Sequence, residues 1–278
     1  MLKLLFCACV MGAMAWAADR PTGRVGAGRS VVWARNGMAA SSQPLAVQAG
    51  LRILQQGGNA VDAAVAAAAV LGVVEPMSTG LGGDVFALVY HAKTGELKGL
   101  NGSGYSPQAV TRDFFLSKGL REIPMYGPFS VTVPGTVDAW VTLHKKYGSL
   151  KLDQVLAPAI DYAENGFPVS EVIAWEWGLD GPAAARRDPE FASAYFVADP
   201  RGGHPPAEGE MFVNKPLAAT MRKIAAGGRD AFYKGEVARK IVDRLNQLGW
   251  PMSMDDLAAF HSEWVEPIST TYKGYRVY

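Results

Sequence analysis

Apolar residues recur at helical spacing from position 44 onward. Leu45, Ala49, Ile53 and Leu54 share a face, Pro44 suits a first turn after Ser41-Ser42, and Gly57-Gly58 ends the run. A second helix follows at once, with Asn59 as cap, Asp62 at its third position and Pro76 beyond its end. Between them Ala60 to Val74 is apolar on nearly every side. This predicts a helix buried all round, too short for a bilayer, whose alanines let its backbone approach a neighbouring sheet.

The period then changes. Val85 to Tyr90 reads as a buried strand, Lys93-Thr94-Gly95 as a turn and Glu96 to Leu100 as the returning strand, a β-hairpin in place of a βαβ crossover. "FSVTVPGTVDAW" passes from strand to helix at Pro134-Gly135, with Val137, Trp140, Val141 and His144 on or near one face. A cleaner stripe of Leu152, Val155, Leu156, Ala159, Ile160 and Ala163 ends at Gly166. Further helices are predicted around 217–225, 237–248 and 254–260, the last opened by a Ser253-x-x-Asp256 capping pattern. "EWVEPISTTYKGYRVY" gives a strand, a turn at Tyr272-Lys273-Gly274 and a second strand that stops at Tyr278, an unfinished edge that predicts continuation of the natural chain.

Residues 1–17, "MLKLLFCACVMGAMAWA", pair Lys3 with an apolar core and an Ala15-Trp16-Ala17 ending, the pattern of a removed signal peptide. A periplasmic or extracellular location is therefore expected. Cleavage removes Lys3 and the two cysteines, Cys7 and Cys9, and leaves residues 18–278 with equal numbers of basic and acidic side chains. A disulfide framework is excluded for that chain. No basic field attracts nucleic acid or anionic lipid, and no membrane attachment is expected after cleavage, so the partner is a small molecule or a protein. With 49% hydrophobic residues the chain can bury a sizeable core, and no linker or repeat divides it.

Candidate chemistry is sparse. Gly80-Leu81-Gly82-Gly83-Asp84 precedes a strand where nucleotide fingerprints precede a helix, so a tight turn is the expectation. His91, His144, His204 and His261 show no metal-ligand spacing; no metal and no cofactor are expected, and His91 reads as solvated. Asn101-Gly102-Ser103-Gly104-Tyr105 lacks the spacing of a serine-hydrolase elbow, although a glycine-flanked turn there exposes backbone and hydroxyl groups suited to lining a pocket. Asp255-Asp256 and the Glu263, Glu266 pair lie in capping or strand contexts and read as solvated structural groups.

Taken together, "NGMAASSQPLAVQAGLRILQQGGNAVDAAVAAAAVLGVVEP", "GLGGDVFAL", "FSVTVPGTVDAW", "DQVLAPAIDYAENGFPVS" and "EWVEPISTTYKGYRVY" resemble the large-subunit portion of the γ-glutamyltransferase (glutathione hydrolase) family, from about Gly37 to Tyr278. The resemblance implies an α/β (α+β) N-terminal-nucleophile hydrolase, an αββα four-layer sandwich incomplete in this chain, with residues 18–278 as a truncated large-subunit portion. It implies a precursor that cuts itself, and a nucleophilic threonine at the start of a small subunit that this chain lacks. That threonine's α-amine, with an ordinary pKa near 8, would serve as its base. No catalytic residue is then expected here.

The family's α-carboxylate-binding arginine, four residues before the proline of the segment matching "LNGSGYSP", is Ser103 in this chain. In an acylase-like branch the arginine often lies two positions later, where Tyr105 stands. Loss of a guanidinium removes a charge-assisted contact of roughly 1.5–3 kcal/mol. Asn101, Ser103 and Tyr105 are the expected substrate-binding residues, and the expected reaction is cleavage of γ-glutamyl amide bonds through an acyl-enzyme. The alternatives are an acylase acting on other amides and a non-catalytic binding protein on the same scaffold.

Overall fold

The computed structural model describes residues 31–278. The predicted signal peptide at 1–17 lies outside them. The first two helices are α1 (Pro44–Gln55) and α2 (Ala60–Val74). Asn59 caps α2 by accepting from the N–H groups of Val61 and Asp62 at 2.8 and 3.1 Å, and Asp62 returns a bond to the Asn59 N–H at 3.0 Å. After α2 come the antiparallel strands β1 (Val85–His91) and β2 (Glu96–Gly102), in a register that sets Phe86 opposite Asn101 and Leu88 opposite Gly99. Then follow α3 (Arg112–Ser117), α4 (Thr136–Tyr147) and α5 (Leu152–Asn165).

Helices α1, α2 and α5 pack into one layer. Here one expectation is corrected: the alanines of α2 admit helices where a sheet was expected. A Cβ on Gly50 of α1 would already stand 3.1 Å from the Ala39 methyl and 3.4 Å from the Ala63 carbonyl. Helix α4, entering from Gly135, carries the near face of the β1–β2 hairpin. The buried core joins Val65, Ala66, Val70 and Val73 of α2 to Val137 and Trp140 of α4 and Leu156 and Ala159 of α5.

The stretch 129–133, read as a strand, joins no sheet. Pro128–Ser130 is a 3₁₀ turn, and Val133 makes one main-chain bond, its N–H to the Tyr105 carbonyl at 2.9 Å. Proline at 134 and glycine at 135 supply neither ladder nor side chains for strand pairing. The middle of the chain also contains short strands β3 (Phe167–Pro168) and β4 (Met211–Phe212), and between them α6 (Glu171–Arg187) and α7 (Pro189–Tyr195), which the pattern did not predict.

Helix α8 (Lys215–Tyr233) breaks at Gly228, whose φ of 60° belongs to the left-handed region open to glycine. It leads to α9 (Glu236–Gln247) and α10 (Met254–Ala259). Strand β5 (Glu263–Val265) then pairs with β2, giving the order β1-β2-β5. The C-terminal segment holds three strands instead of two. Strands β6 (Thr270–Tyr272) and β7 (Tyr275–Val277) form a separate hairpin, because Pro267 interrupts the run after β5.

The sheet has one supported face. On the other, Phe86, Leu88 and Tyr90 are 71, 56 and 64% exposed, with Val265 beside them. Mixed helix and sheet of this kind agrees with the α+β expectation. No helix of the described residues is long and apolar enough to cross a membrane.

Asp62 shows how the layers are tied. It is fully buried, and beyond its capping bond it accepts from the Ser149 hydroxyl at 2.7 Å and from the Ser149 and Leu150 N–H groups. Burial alone would raise its pKa, but these hydrogen bonds outweigh it and hold the carboxyl below the ordinary range. The unfolded chain therefore binds this proton more readily. The stabilisation is present above the unfolded value, about 3.9, and is lost as pH falls through the lower folded one. We expect Asp62→Asn to cost about 1–3 kcal/mol at neutral pH. In urea titrations its gap to the unsubstituted protein should narrow below pH 4 or so. A gap independent of pH would show that the carboxylate charge is not what matters.

Candidate active-site wall

Three glycine-containing segments interlock at the end of β2. The turn Gly80–Asp84 is closed by the Gly83 N–H donating to the Gly80 carbonyl at 3.1 Å, a tight turn as expected. Its Gly83 carbonyl accepts from the N–H groups of Gly135 and Thr136, both at 2.9 Å. Helix α4 has no side-chain cap, so this carbonyl satisfies donors left free at its first turn. The Asp84 carboxylate accepts the Gly104 N–H at 2.8 Å. Thus the motif fixes the chain leaving β2 and the start of α4 together.

Close backbone approach explains the glycines. A Cβ on Gly104 would lie 1.7 Å from the Val133 carbonyl oxygen, and one on Gly135 would lie 1.8 Å from that of Gly102. Between these contacts sit the predicted site residues. Asn101 is half-buried in β2 and its side-chain oxygen accepts the Ser103 N–H at 2.9 Å. Ser103 is exposed, and its hydroxyl meets no histidine or other base among the described residues. Tyr105, 41% exposed, turns its hydroxyl to the Asp256 carbonyl at 3.3 Å and packs its ring against Phe260 with centroids 5.5 Å apart. Burial, reinforced by the Asp256 charge, raises the phenol pKa, so it stays protonated. The three residues lie along one short ledge, with Ser103 open to solvent and Tyr105 anchored.

Two acids do more here than the sequence indicated. Asp256 caps α10, as its spacing predicted, but it is buried where a solvated group was expected. Its carboxylate also accepts the Gln108 N–H at 3.0 Å and so binds α10 to the loop after Tyr105. Burial would raise its pKa, yet the bonds from Gln108 and Ser253 prevail and lower it.

Asp138, 1% exposed, meets Arg229 Nε at 2.6 Å and accepts the Ser262 N–H at 2.7 Å. Arg229 also donates to the carbonyls of Ala258 and Phe260. Tyr233 accepts the Asp138 N–H and donates to the Pro134 carbonyl at 2.6 Å; burial raises its pKa and keeps it a donor. This cluster clamps residues 258–262, and through them β5, against α4. An acid in the first turn after "VPG" was the sole sequence signal for it. Its arginine lies 91 positions away.

Among the histidines, His144 bonds the Leu150 carbonyl at 2.8 Å, His204 lies between Asp199 and Glu210, His261 sits 3.6 Å from Asp138, and exposed His91 bonds Thr94. Among the described residues no group of three or more His, Cys, Asp or Glu could hold a metal ion.

The chain is similar to several known proteins. Over 245 residues the chain is 48% identical to the glutathione hydrolase-like YwrD proenzyme of Bacillus subtilis, covering 87% of this chain and 45% of that protein. It superposes on a cephalosporin acylase from Bacillus halodurans with a TM-score of 0.85 and 43% identity, over 93% of this chain and 48% of the other. For a Helicobacter pylori gamma-glutamyltranspeptidase the TM-score is 0.81 at 33% identity, over 89 and 70% of the two chains. The chain spans about half the length of the curated relatives it matches. The Gamma-glutamyltranspeptidase family model matches residues 46–278, and the chain belongs to that family, whose members include amide hydrolases and transpeptidases.

Proposed function

We propose that this chain is the large-subunit portion, residues 18–278, of a secreted precursor that cleaves itself and then cleaves γ-glutamyl amide bonds. The nucleophile is a threonine in polypeptide beyond Tyr278. Its hydroxyl attacks the amide carbonyl, its α-amine takes the proton, and the acyl group passes to water or an acceptor amine. One observation carries this reading: the apolar face of Phe86, Leu88 and Tyr90 lies open beside a ledge, Asn101 to Tyr105, where no base among the described residues touches the Ser103 hydroxyl. Such a half-site fits a wall that receives its chemistry from a second sheet. The proenzyme names of the relatives support the same reading.

A second reading is favoured by Ser103. No guanidinium stands there, and Arg229, which reaches the Phe260 backbone behind Tyr105, is committed to Asp138 and two carbonyls. An acylase acting on amides without an α-carboxylate matches that arrangement. Both readings are tested on the protein expressed from its complete gene, with γ-glutamyl and glutaryl p-nitroanilides as paired substrates. Ser103→Arg is expected to raise kcat/KM for the γ-glutamyl over the glutaryl substrate by about 10- to 100-fold. An unchanged ratio would remove position 103 from carboxylate recognition. Turnover by residues 18–278 alone would refute the missing-nucleophile proposal.

A further inference from the structure

An apolar pocket of about 510 Å³ opens between helices α8 and α9, beside the glycine turn. Val237, Ile241 and Leu245, four apart on one face of α9, line it together with Leu217 and Phe232 of α8. Leu81 and Gly82 of the turn, with Val131 and Pro134 from the approach to α4, close the third side. Pro134, Phe232 and Leu245 are buried and make the floor. Leu81, Val131, Leu217, Val237 and Ile241 are only half-buried, so they keep apolar surface to offer a ligand. Space is free at Gly82 as well: a Cβ there meets nothing within 4 Å, and its backbone lies outside the left-handed region.

Position separates this pocket from the open sheet. Helix α8 packs on α4, and α4 carries the sheet on the face opposite Phe86, Leu88 and Tyr90. On the proposed function a second sheet lies over those three side chains, and the pocket then keeps its mouth on the outer, helical side. That mouth is cationic. Lys223 and Lys240 both bond the Glu236 carboxylate, at 2.5 and 2.9 Å, so two ammonium groups share one anion. Their hydrogen bonds, that of Lys223 foremost, draw the Glu236 pKa down to about 2, a measure of how far positive charge prevails there. Arg244, on the same rim, is taken up by Asp188 and Glu190. Thr220 gives its hydroxyl to the Pro216 carbonyl at 3.1 Å, which leaves no polar side chain in the depth of the pocket for a ligand.

We propose that this pocket binds an aliphatic monocarboxylate, its chain inward and its carboxylate at the lysines. A volume of this order, with apolar walls and a few polar groups at one end, is what a small-molecule site requires. The chain lies against Val237, Ile241 and Leu217 and reaches the free space at Gly82, so each methylene that leaves water strengthens binding. The carboxylate bridges Lys223 and Lys240 and balances the charge that Glu236 alone does not. An ammonium head is refused by the same two lysines, and a polar tail by the floor. This binding needs neither the ledge nor the missing nucleophile.

The test is isothermal titration of the protein expressed from its complete gene with octanoate, hexanoate and octylamine. Octanoate is expected to bind saturably, hexanoate about tenfold more weakly for want of two methylenes, and octylamine at least about tenfold more weakly for its charge. Gly82→Leu, whose side chain grows into the free space, should weaken octanoate at least about tenfold. Lys223→Gln combined with Lys240→Gln should abolish the preference for octanoate over octylamine and keep the ratio of octanoate to hexanoate. Both lysines are exposed, and circular dichroism checks that the variants fold. Absence of saturable binding at millimolar octanoate overturns the proposal, as it would if polypeptide beyond Tyr278 covered the pocket. So does octylamine binding as tightly as octanoate. Octanoate binding that survives both Gly82→Leu and the lysine pair overturns it too, because the carboxylate then sits elsewhere, for instance at the reaction site.

Discussion

Replacing Asp138 with alanine is expected to lower the unfolding free energy by about 3–5 kcal/mol, the range for breaking a buried ion pair from one side. The reason is what remains behind. Arg229 keeps its charge in a place only 14% exposed, and the Ser262 N–H loses its acceptor. Tyr233 stays bonded to the Pro134 carbonyl, so damage should concentrate in residues 258–265 and not spread through α4. Urea unfolding measures the loss, and hydrogen exchange should show β5, opposite Asn101, Leu100 and Gly99, opening first. Substituting Asp138→Leu and Arg229→Met together should recover part of the stability, because no charge is then stranded. A loss below about 1 kcal/mol for alanine would place the pair among ordinary surface salt bridges.

Gly135→Ala should be at least as damaging, through sterics. The backbone at Gly135 has φ −102°, which alanine adopts freely, so the conformation itself is not strained. The obstacle is the Gly102 carbonyl oxygen, 1.8 Å from where the methyl would stand, with its carbon at 2.8 Å. Neither atom belongs to a flexible side chain, so β2 and the start of α4 must separate. Overpacking of this kind is expected to cost more than about 3 kcal/mol. Gly82→Ala is the control, since a methyl there meets nothing within 4 Å. Thermal melts and soluble yield compare the two; equal stability would mean that the backbone at the junction yields without penalty.

Periodicity and caps made much of the scaffold legible. Helices α1, α2, α5 and α10 begin and end where Pro44, Asn59, Gly166 and Ser253 signalled, because these residues satisfy or terminate main-chain bonding locally. What required distant partners was not legible. The stretch before Pro134 has strand composition, but its bonding is decided by Tyr105, 28 positions earlier. The packing of α2 against helices could not be told from packing against a sheet, since alanine suits both. At the site, the "LNGSGYSP" segment pointed to the ledge, and the glycines on either side proved to be needed for backbone contact. The clamp of Asp138, Arg229 and Tyr233 left almost no trace in sequence, because charges tens of residues apart carry no spacing signal.

The uncovered rings of Phe86, Leu88 and Tyr90 have a thermodynamic consequence. On the proposed function these rings meet a second sheet, and that contact is one of apolar burial. An association built on apolar burial weakens as temperature falls. On that reading the assembled protein should come apart more readily in chilled dilute urea than in warm.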